Sequence, residues 1–301
     1  MNNMIGVRPL PGEYFAGHLA RFNRINYIAH NKRSSARAMP LRSNGQKVQF
    51  LRPDLHQVAE AAQLDHESYW RTHSLDPLSE LLHLQRSENC FKWVPYINGK
   101  LPLGFGQRLP YERHCQTCVK TQRREYGFAY WRRDQQVLGI NSCSLHGTPL
   151  RLSRRAFDRS PALIAEKSIE ISVDLVAADR SEILTRYREI TNGILNSNAT
   201  YCGEAFDNAL KRKCAALGYD TEDGAEDLFH NLQNQIPKAW IDEHFRGLGT
   251  GTMTARNHIR RVLIGKHSPG HFCTLVMAAI FSTAEEALAA VTPTLEHAPH
   301  Q

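Results

Sequence analysis

Apolar residues recur at helical spacing over most of this chain. Glu13–Asn26 puts Tyr14, Phe15, His18, Leu19, Phe22 and Ile25 on one face, after the breaker Pro9-Leu10-Pro11-Gly12. The period lapses over residues 30–49, where a polar, basic stretch with Ser34, Ser35, Pro40, Asn44 and Gly45 predicts a loop or arm. Asp54 and Asp65 stand where N-caps belong, for helices running to about Ala62 and Thr72. Pro95 to Pro110, with Gly99, Gly104 and Gly106, has the composition of a linker. Tyr126–Gln136 predicts a short helix with Arg132, Arg133 and Gln136 outward and Phe128 and Trp131 packed.

The helical period returns beyond Arg155. Glu182–Leu195 and Gly203–Leu217 carry apolar stripes, the second closed by Gly218 at the C′ position. Thr221–Asn234 and Pro237–Leu248 follow, the latter with Pro237 in its first turn. Gly247–Gly251 then turns the chain into Thr252–Gly265, which carries Arg256, Arg260 and Arg261. Helix, short glycine turn and basic helix together give the outline of a helix-turn-helix, which would bring those three arginines to DNA. Ser268-Pro269 starts the last buried helix, and Phe272–Phe281 is its apolar body. That run falls short of the ~20 residues of a membrane span.

The expected fold is therefore mostly α: a helical N-terminal domain with a basic loop (1–108), a central segment (109–155) and a helical C-terminal domain (156–301). A chain of 301 residues with 42% hydrophobic and 22% charged residues can build two or three such cores, which excludes a disordered protein.

The central segment carries the chemistry. Cys115-X2-Cys118 is followed by Cys143-X2-His146, two short ligand pairs that can close a tetrahedral shell around one structural Zn²⁺ per chain. A disulfide or four unrelated buried residues are the alternatives. His114 adjoins Cys115, but two neighbouring residues of a tight knuckle rarely reach one ion. The remaining cysteines, Cys90, Cys202, Cys214 and Cys273, read as reduced and buried, which suits a cytoplasm. The start of the chain lacks the layout of a secretory signal.

Charge is segregated rather than spread. Residues 111–155 hold nine Lys and Arg against Glu112, Glu125 and Asp134, a net +6, and residues 1–53 hold nine against Glu13, a net +8. Residues 54–110 sum to −2 and 156–301 to −5, within a total of +7. Such a field suits nucleic-acid phosphates, with Arg123, Arg124, Arg132, Arg133, Arg151, Arg154 and Arg155 as candidate contacts, although a solvated basic face has the same composition. Glu222, Asp223, Glu226 and Asp227 form an acidic counterpart suited to a positively charged partner.

Several segments together resemble the TniQ/TnsD family of transposition target-selection proteins. They are Val7-Arg-Pro-Leu-Pro-Gly-Glu13, Leu19-Ala-Arg21, Thr72-His-Ser-Leu-Asp-Pro77, Arg113-His-Cys-Gln-Thr-Cys118, Tyr130-Trp-Arg-Arg133 and Gly139-Ile-Asn-Ser-Cys-Ser-Leu-His-Gly147. Lys266–Phe281 is similar to the family's late helix more loosely. Gln116 departs from the usual Pro, Asp134-Gln135 stands where Arg/His-His is common, and Ser74 replaces Thr. The resemblance implies a compact bacterial cytoplasmic adaptor, of the kind that links attachment-site DNA or an RNA-guided CRISPR complex to an AAA+ transposition ATPase. Self-association into a homodimer is left open. It also implies that Trp70, His73, Pro77 and Trp131 hold a domain junction.

No catalytic constellation accompanies these segments. H-E-x-x-H, the H-x-E of zinc deaminases and G-x-S-x-G are all missing, and four protein ligands leave no vacancy for a zinc hydroxide. The expectation is a protein that is not an enzyme. A zinc-containing helix-turn-helix DNA-binding regulator is the alternative.

Overall fold

A computed structural model describes residues 5–26, 58–75, 77–80, 111–154, 168–197, 203–263 and 270–292. The expected loop at 30–49, the Asp54 cap, the linker at 95–110, Arg155 and Ser268-Pro269 lie outside these residues. The described chain is mostly helical. In order it runs α1 (Phe15–Ile25), α2 (58–61), α3 (His66–His73), α4 (Pro77–Glu80), β1 (Tyr111–His114) and α5 (Gln116–Tyr126). Then come β2 (Arg151–Arg154), β3 (Ser168–Glu170), α6 (Val173–Ala178), α7 (Glu182–Asn196), α8 (Gly203–Leu217) and α9 (Glu222–Gln235). The chain closes through α10 (Lys238–His244), α11 (Arg246–Gly249), α12 (Met253–Leu263), α13 (Gly270–Ile280) and α14 (Ala284–Val291).

The N-terminal helices form where the apolar stripes and caps place them. Phe15 and Phe22 of α1 pack with Val7, Val58, Ala59, Tyr69 and Trp70 into a small core. The Asp65 carboxylate accepts from the Ser68 N–H at 2.7 Å and starts α3. The larger core belongs to α7–α14, where Tyr187, Ile190, Leu228, Phe229, Trp240, Phe245 and Phe272 are almost fully buried. Val137 and Ile140, which follow the basic loop of the central segment, enter that same core.

Four expectations are corrected. The helix of the central segment is α5, over Gln116–Tyr126, rather than 126–136: Gly127 ends it in the left-handed region at φ 77, and only a 3₁₀ turn at Asp134–Gln136 follows. A three-stranded antiparallel sheet, in the order β1-β2-β3, was not signalled by the helical periodicity, because YERH, RLSR and SIE are too short to show alternation. Its third strand lies beyond residue 155. Pro237–Leu248 is two helices, since Phe245 leaves helical geometry at φ −145 and ψ 47, and Pro237 is the N-cap rather than a first-turn residue. The last helix is α14, capped by the Thr283 hydroxyl, which accepts from the Glu286 N–H at 3.0 Å.

Candidate metal centre

Two elements and a turn bring the four predicted ligands together. Cys115 sits at the N-cap of α5 and Cys118 in its first turn, so a helical rise carries both sulfurs to one side. Cys143 and His146 flank a tight turn closed by the Gly147 N–H donating to the Cys143 carbonyl at 2.8 Å. The donor atoms of Cys115, Cys118, Cys143 and His146 all lie within 4.8 Å of one another. His146 Nδ1 stands 3.6, 3.4 and 3.6 Å from the sulfurs of Cys115, Cys118 and Cys143, and the Cys118 and Cys143 sulfurs are 3.7 Å apart.

These spacings fit a metal ion. A tetrahedron with metal–sulfur bonds of about 2.3 Å and a metal–nitrogen bond of about 2.0–2.1 Å has edges of about 3.8 Å between sulfurs and about 3.5–3.6 Å between sulfur and nitrogen. A disulfide would need about 2.05 Å between sulfurs, so the Cys118–Cys143 separation excludes that pairing here. The three cysteines are buried while His146 is exposed and closes the site on its solvent side.

The surroundings suit a thiolate at Cys143. The Cys143 thiol is pulled down to about 4, by the Cys118 hydrogen bond first and then by His146 and the backbone N–H groups of Leu145 and His146, against burial. Cys118, its partner in that hydrogen bond, is pushed up. His114 is not a fifth ligand: its ring packs on Trp131, and Nδ1 meets the Ser153 hydroxyl at 3.2 Å. Burial lowers the His114 imidazole to about 4.

The ribbon leading into Cys143 is fastened to the C-terminal helices. Tyr187 donates to the Leu138 carbonyl at 2.8 Å and Trp240 Nε1 to the Gly139 carbonyl at 2.8 Å. Asp179 accepts from the Asn141 N–H, the Asn141 amide and the Ser142 hydroxyl at 2.8, 3.0 and 2.9 Å, and burial raises its carboxyl. Gly139 is required twice over, since its φ is +78 and a Cβ there would lie 2.4 Å from Trp240.

The N-terminal unit is fastened to the same segment. The Glu13 carboxylate, fully buried, takes Arg21 at 2.6 Å and the Leu10 N–H at 2.9 Å. Tyr130 donates to the Pro11 carbonyl at 2.9 Å, and Tyr14 N–H to the Trp131 carbonyl at 2.7 Å. His73 Nδ1 donates to the Glu13 carbonyl at 2.7 Å, and Trp70 and Trp131 are buried beside this seam. His18 donates through Nε2 to the Val7 carbonyl at 2.7 Å, which leaves Nδ1 to accept from the Tyr69 hydroxyl at 2.5 Å.

The ten arginines expected at nucleic acid divide sharply. Arg123 and Arg124 project from the outer side of α5 into solvent, whereas the inner side buries Cys118, Val119 and Gln122. Arg133 is buried and cannot reach a phosphate: its guanidinium donates to the carbonyls of Arg71, Ser74 and Leu195, and burial lowers it to about 10. Arg132 is mostly buried and held by Asp134 at 3.0 Å. Arg151 pairs with Glu170 at 3.0 Å. Arg154 lies in β2, paired in register with Tyr111.

The two surfaces assigned to unlike partners meet each other instead. Arg256 pairs with Glu226 at 3.0 Å and lies over the Phe229 ring, and Arg260 pairs with Glu222 at 3.1 Å. The basic helix α12 thus lays two of its arginines along acidic α9, in pairs that stay partly exposed. Arg261, Asp223 and Asp227 remain exposed. The polar residues that periodicity overlooked are Gln135, Asp179 and Arg113, all buried within this network.

No family model matches this chain, and no curated protein matches it.

Proposed function

We propose that this protein is a non-enzymatic target-selection adaptor of DNA transposition, built around one structural Zn²⁺ held by Cys115, Cys118, Cys143 and His146. In that role it would link attachment-site DNA or an RNA-guided CRISPR complex to an AAA+ transposition ATPase. The observation that carries the reading is the meeting of segments far apart in sequence that together resemble the TniQ/TnsD pattern. Pro11–Tyr14, Trp70–Ser74 and Tyr130–Arg133 interlock through the Tyr130, Tyr14, His73 and Arg133 hydrogen bonds. Segments that share a motif because they build one junction are expected to interlock in this way.

Zinc is favoured by the donor set. Three thiolates and one imidazole in a closed tetrahedron suit a borderline-soft ion, and four protein ligands leave no open position for chemistry on a bound water. The bound ion would cross-link the start of α5 to the turn at Cys143–His146.

The exposed charges suggest how the two partners would be divided between surfaces. Arg123 and Arg124, with Lys120 on the same helix, are exposed and form no ion pair with any described residue, which makes them, with exposed Arg261, candidates for phosphates. Asp223 and Asp227 are the acids left for the ATPase. The alternative, a zinc-containing helix-turn-helix regulator, would have to break the surface pairs of Arg256 with Glu226 and of Arg260 with Glu222 on binding DNA.

The test uses the full chain with paired substitutions. Arg123→Glu with Arg124→Glu should weaken binding to DNA, or to the guide complex, and lower the salt slope by about one unit per lost phosphate contact. Asp223→Lys with Asp227→Lys should reduce capture of the ATPase and leave target binding intact. Full ATPase capture and full target binding by both variants would refute the adaptor reading.

A further inference from the structure

The amide of Gln135 touches three of the four metal-site residues. It is buried at the 3₁₀ turn, with 2% of its surface exposed. Its Nε2 donates to the Cys118 sulfur at 3.3 Å and to the Cys143 sulfur at 3.6 Å. Its Oε1 accepts from the Cys115 backbone N–H at 3.1 Å. One amide therefore spends both hydrogens on thiolates and its oxygen on the backbone of the third cysteine.

We propose that Gln135 is a positioning residue for the metal centre, which sets how tightly the ion is held and how reactive its thiolates are. The inference rests on the metal reading above. Three thiolates around a divalent ion carry one excess negative charge in a largely buried site, and such a charge is costly without donors aimed at it. The Nε2 hydrogens supply two donors to the two sulfurs that are 3.7 Å apart, where like charges repel. The Cys115 sulfur has a different neighbour, the Thr148 hydroxyl at 3.3 Å, so each sulfur of the site has a side-chain donor. Hydrogen bonds of this kind fix ligand orientation and withdraw charge from sulfur, which slows electrophilic attack on it.

Two roles can be separated because the two ends of the amide do different things. In a strut role the contact to the Cys115 N–H matters, and the thiolate contacts are incidental. Gln135→Glu keeps the shape and the Oε1 acceptor but replaces the donor with a second acceptor beside two thiolates. Gln135→Met keeps length and apolar packing but removes both ends. If Gln135 acts on the thiolates, Glu is the worse substitution; if it acts as a strut, Met is.

The experiment titrates the full-length protein with Co²⁺, follows the ligand-field and sulfur-to-metal charge-transfer bands, and displaces Co²⁺ with Zn²⁺ against a chromophoric chelator. Far-UV circular dichroism of each variant checks the helical fold. The expected result is a 10–100-fold loss of affinity for Gln135→Glu, a smaller loss for Gln135→Met, and faster iodoacetamide alkylation of both metal-loaded variants. Equal affinities for all three proteins, or a greater loss for Met than for Glu, would overturn the inference while leaving the metal site standing. Absence of tetrahedral Co²⁺ bands in the unsubstituted protein would instead overturn the metal reading and this inference with it.

Discussion

The central segment and the α7–α14 core hold together by different means. The core is apolar and interlocked, with Phe245 and Phe272 stacked 5.2 Å apart and Leu228, Trp240 and Val276 almost wholly inside. A core of this kind responds to volume, and one apolar residue of similar size can stand in for another. The central segment instead buries Glu112, Arg113, His114, Gln122, Arg133, Gln135, Asn141 and Ser142 within a few dozen residues. Their polar atoms are held by specific hydrogen bonds, Arg113 donating to the Ile140 and Gln136 carbonyls and Gln122 accepting from the Tyr130 N–H among them, so chemical identity decides and size does not. The same chain thus carries a tolerant region and an intolerant one.

The sharpest way to break the comparison is to remove the proposed metal or one of its ligands. Cys115→Ala, or a strong chelator, should unfold the central segment, because ligand binding free energy there is folding free energy, on the order of 10 kcal/mol in small zinc modules. The α7–α14 helices should largely survive, which limited proteolysis and far-UV circular dichroism would register as loss of protection confined to residues near 111–154. Protein purified without chelator and found free of zinc by elemental analysis would contradict the premise.

Phe272→Ala is the converse. It should cost about 3–5 kcal/mol by opening a cavity against Phe245, lower the thermal midpoint of the helical core, and leave Co²⁺ affinity within about twofold of the parent.

Acid should weaken both regions next. Burial lowers His18 and His114 to about 4 and His244 to about 3 from the ordinary 6.5, so all three stay neutral in the folded state. The unfolded chain takes up protons below pH 6.5 while the native chain does not, so stability is lost as pH falls from about 6.5 towards 4. His18 alone accounts for roughly 3 kcal/mol of that loss at most, and His18→Gln should flatten the stability profile across this window, read by chemical denaturation at fixed pH. The smallest effect is expected at the α9–α12 seam. Glu222→Gln should cost no more than about 1 kcal/mol, since the Arg260 pair is surface-exposed, and a larger loss would mean that the seam is more than a solvated pairing.

The difference between the regions also decides what could be read in the sequence. Long amphipathic stripes were legible: Glu182–Leu195 was expected where α7 runs to Asn196, and Gly203–Leu217 coincides with α8. Ligand spacing was legible too, because two short Cys and Cys/His pairs leave few geometries. The sheet was not, since β1 and β2 owe their pairing to the surrounding network and not to their own pattern. Arg133 looked like a solvent arginine because nothing local reveals that three carbonyls surround it. Gln135 showed only as a departure from the TniQ-like pattern, a flag without a mechanism. The α9–α12 pairing did leave a signal, overlooked in the periodicity: Glu222 and Glu226 are four apart, as are Arg256 and Arg260, and two opposite ladders of equal rung spacing can lie antiparallel.

Arg133 has a consequence for how the protein can be taken apart. Its guanidinium sits at the carbonyl ends of both α3 and α7, where two helix dipoles point their negative poles at a single cation. Ser168–Glu170 supplies the third strand of a sheet whose first two come from the metal segment. A boundary drawn after Arg155, which charge and periodicity both suggest, would strip a strand from the sheet and leave that arginine facing one helix end instead of two. A cut there would break both, so the two sides are better questioned by single substitutions than by scissors.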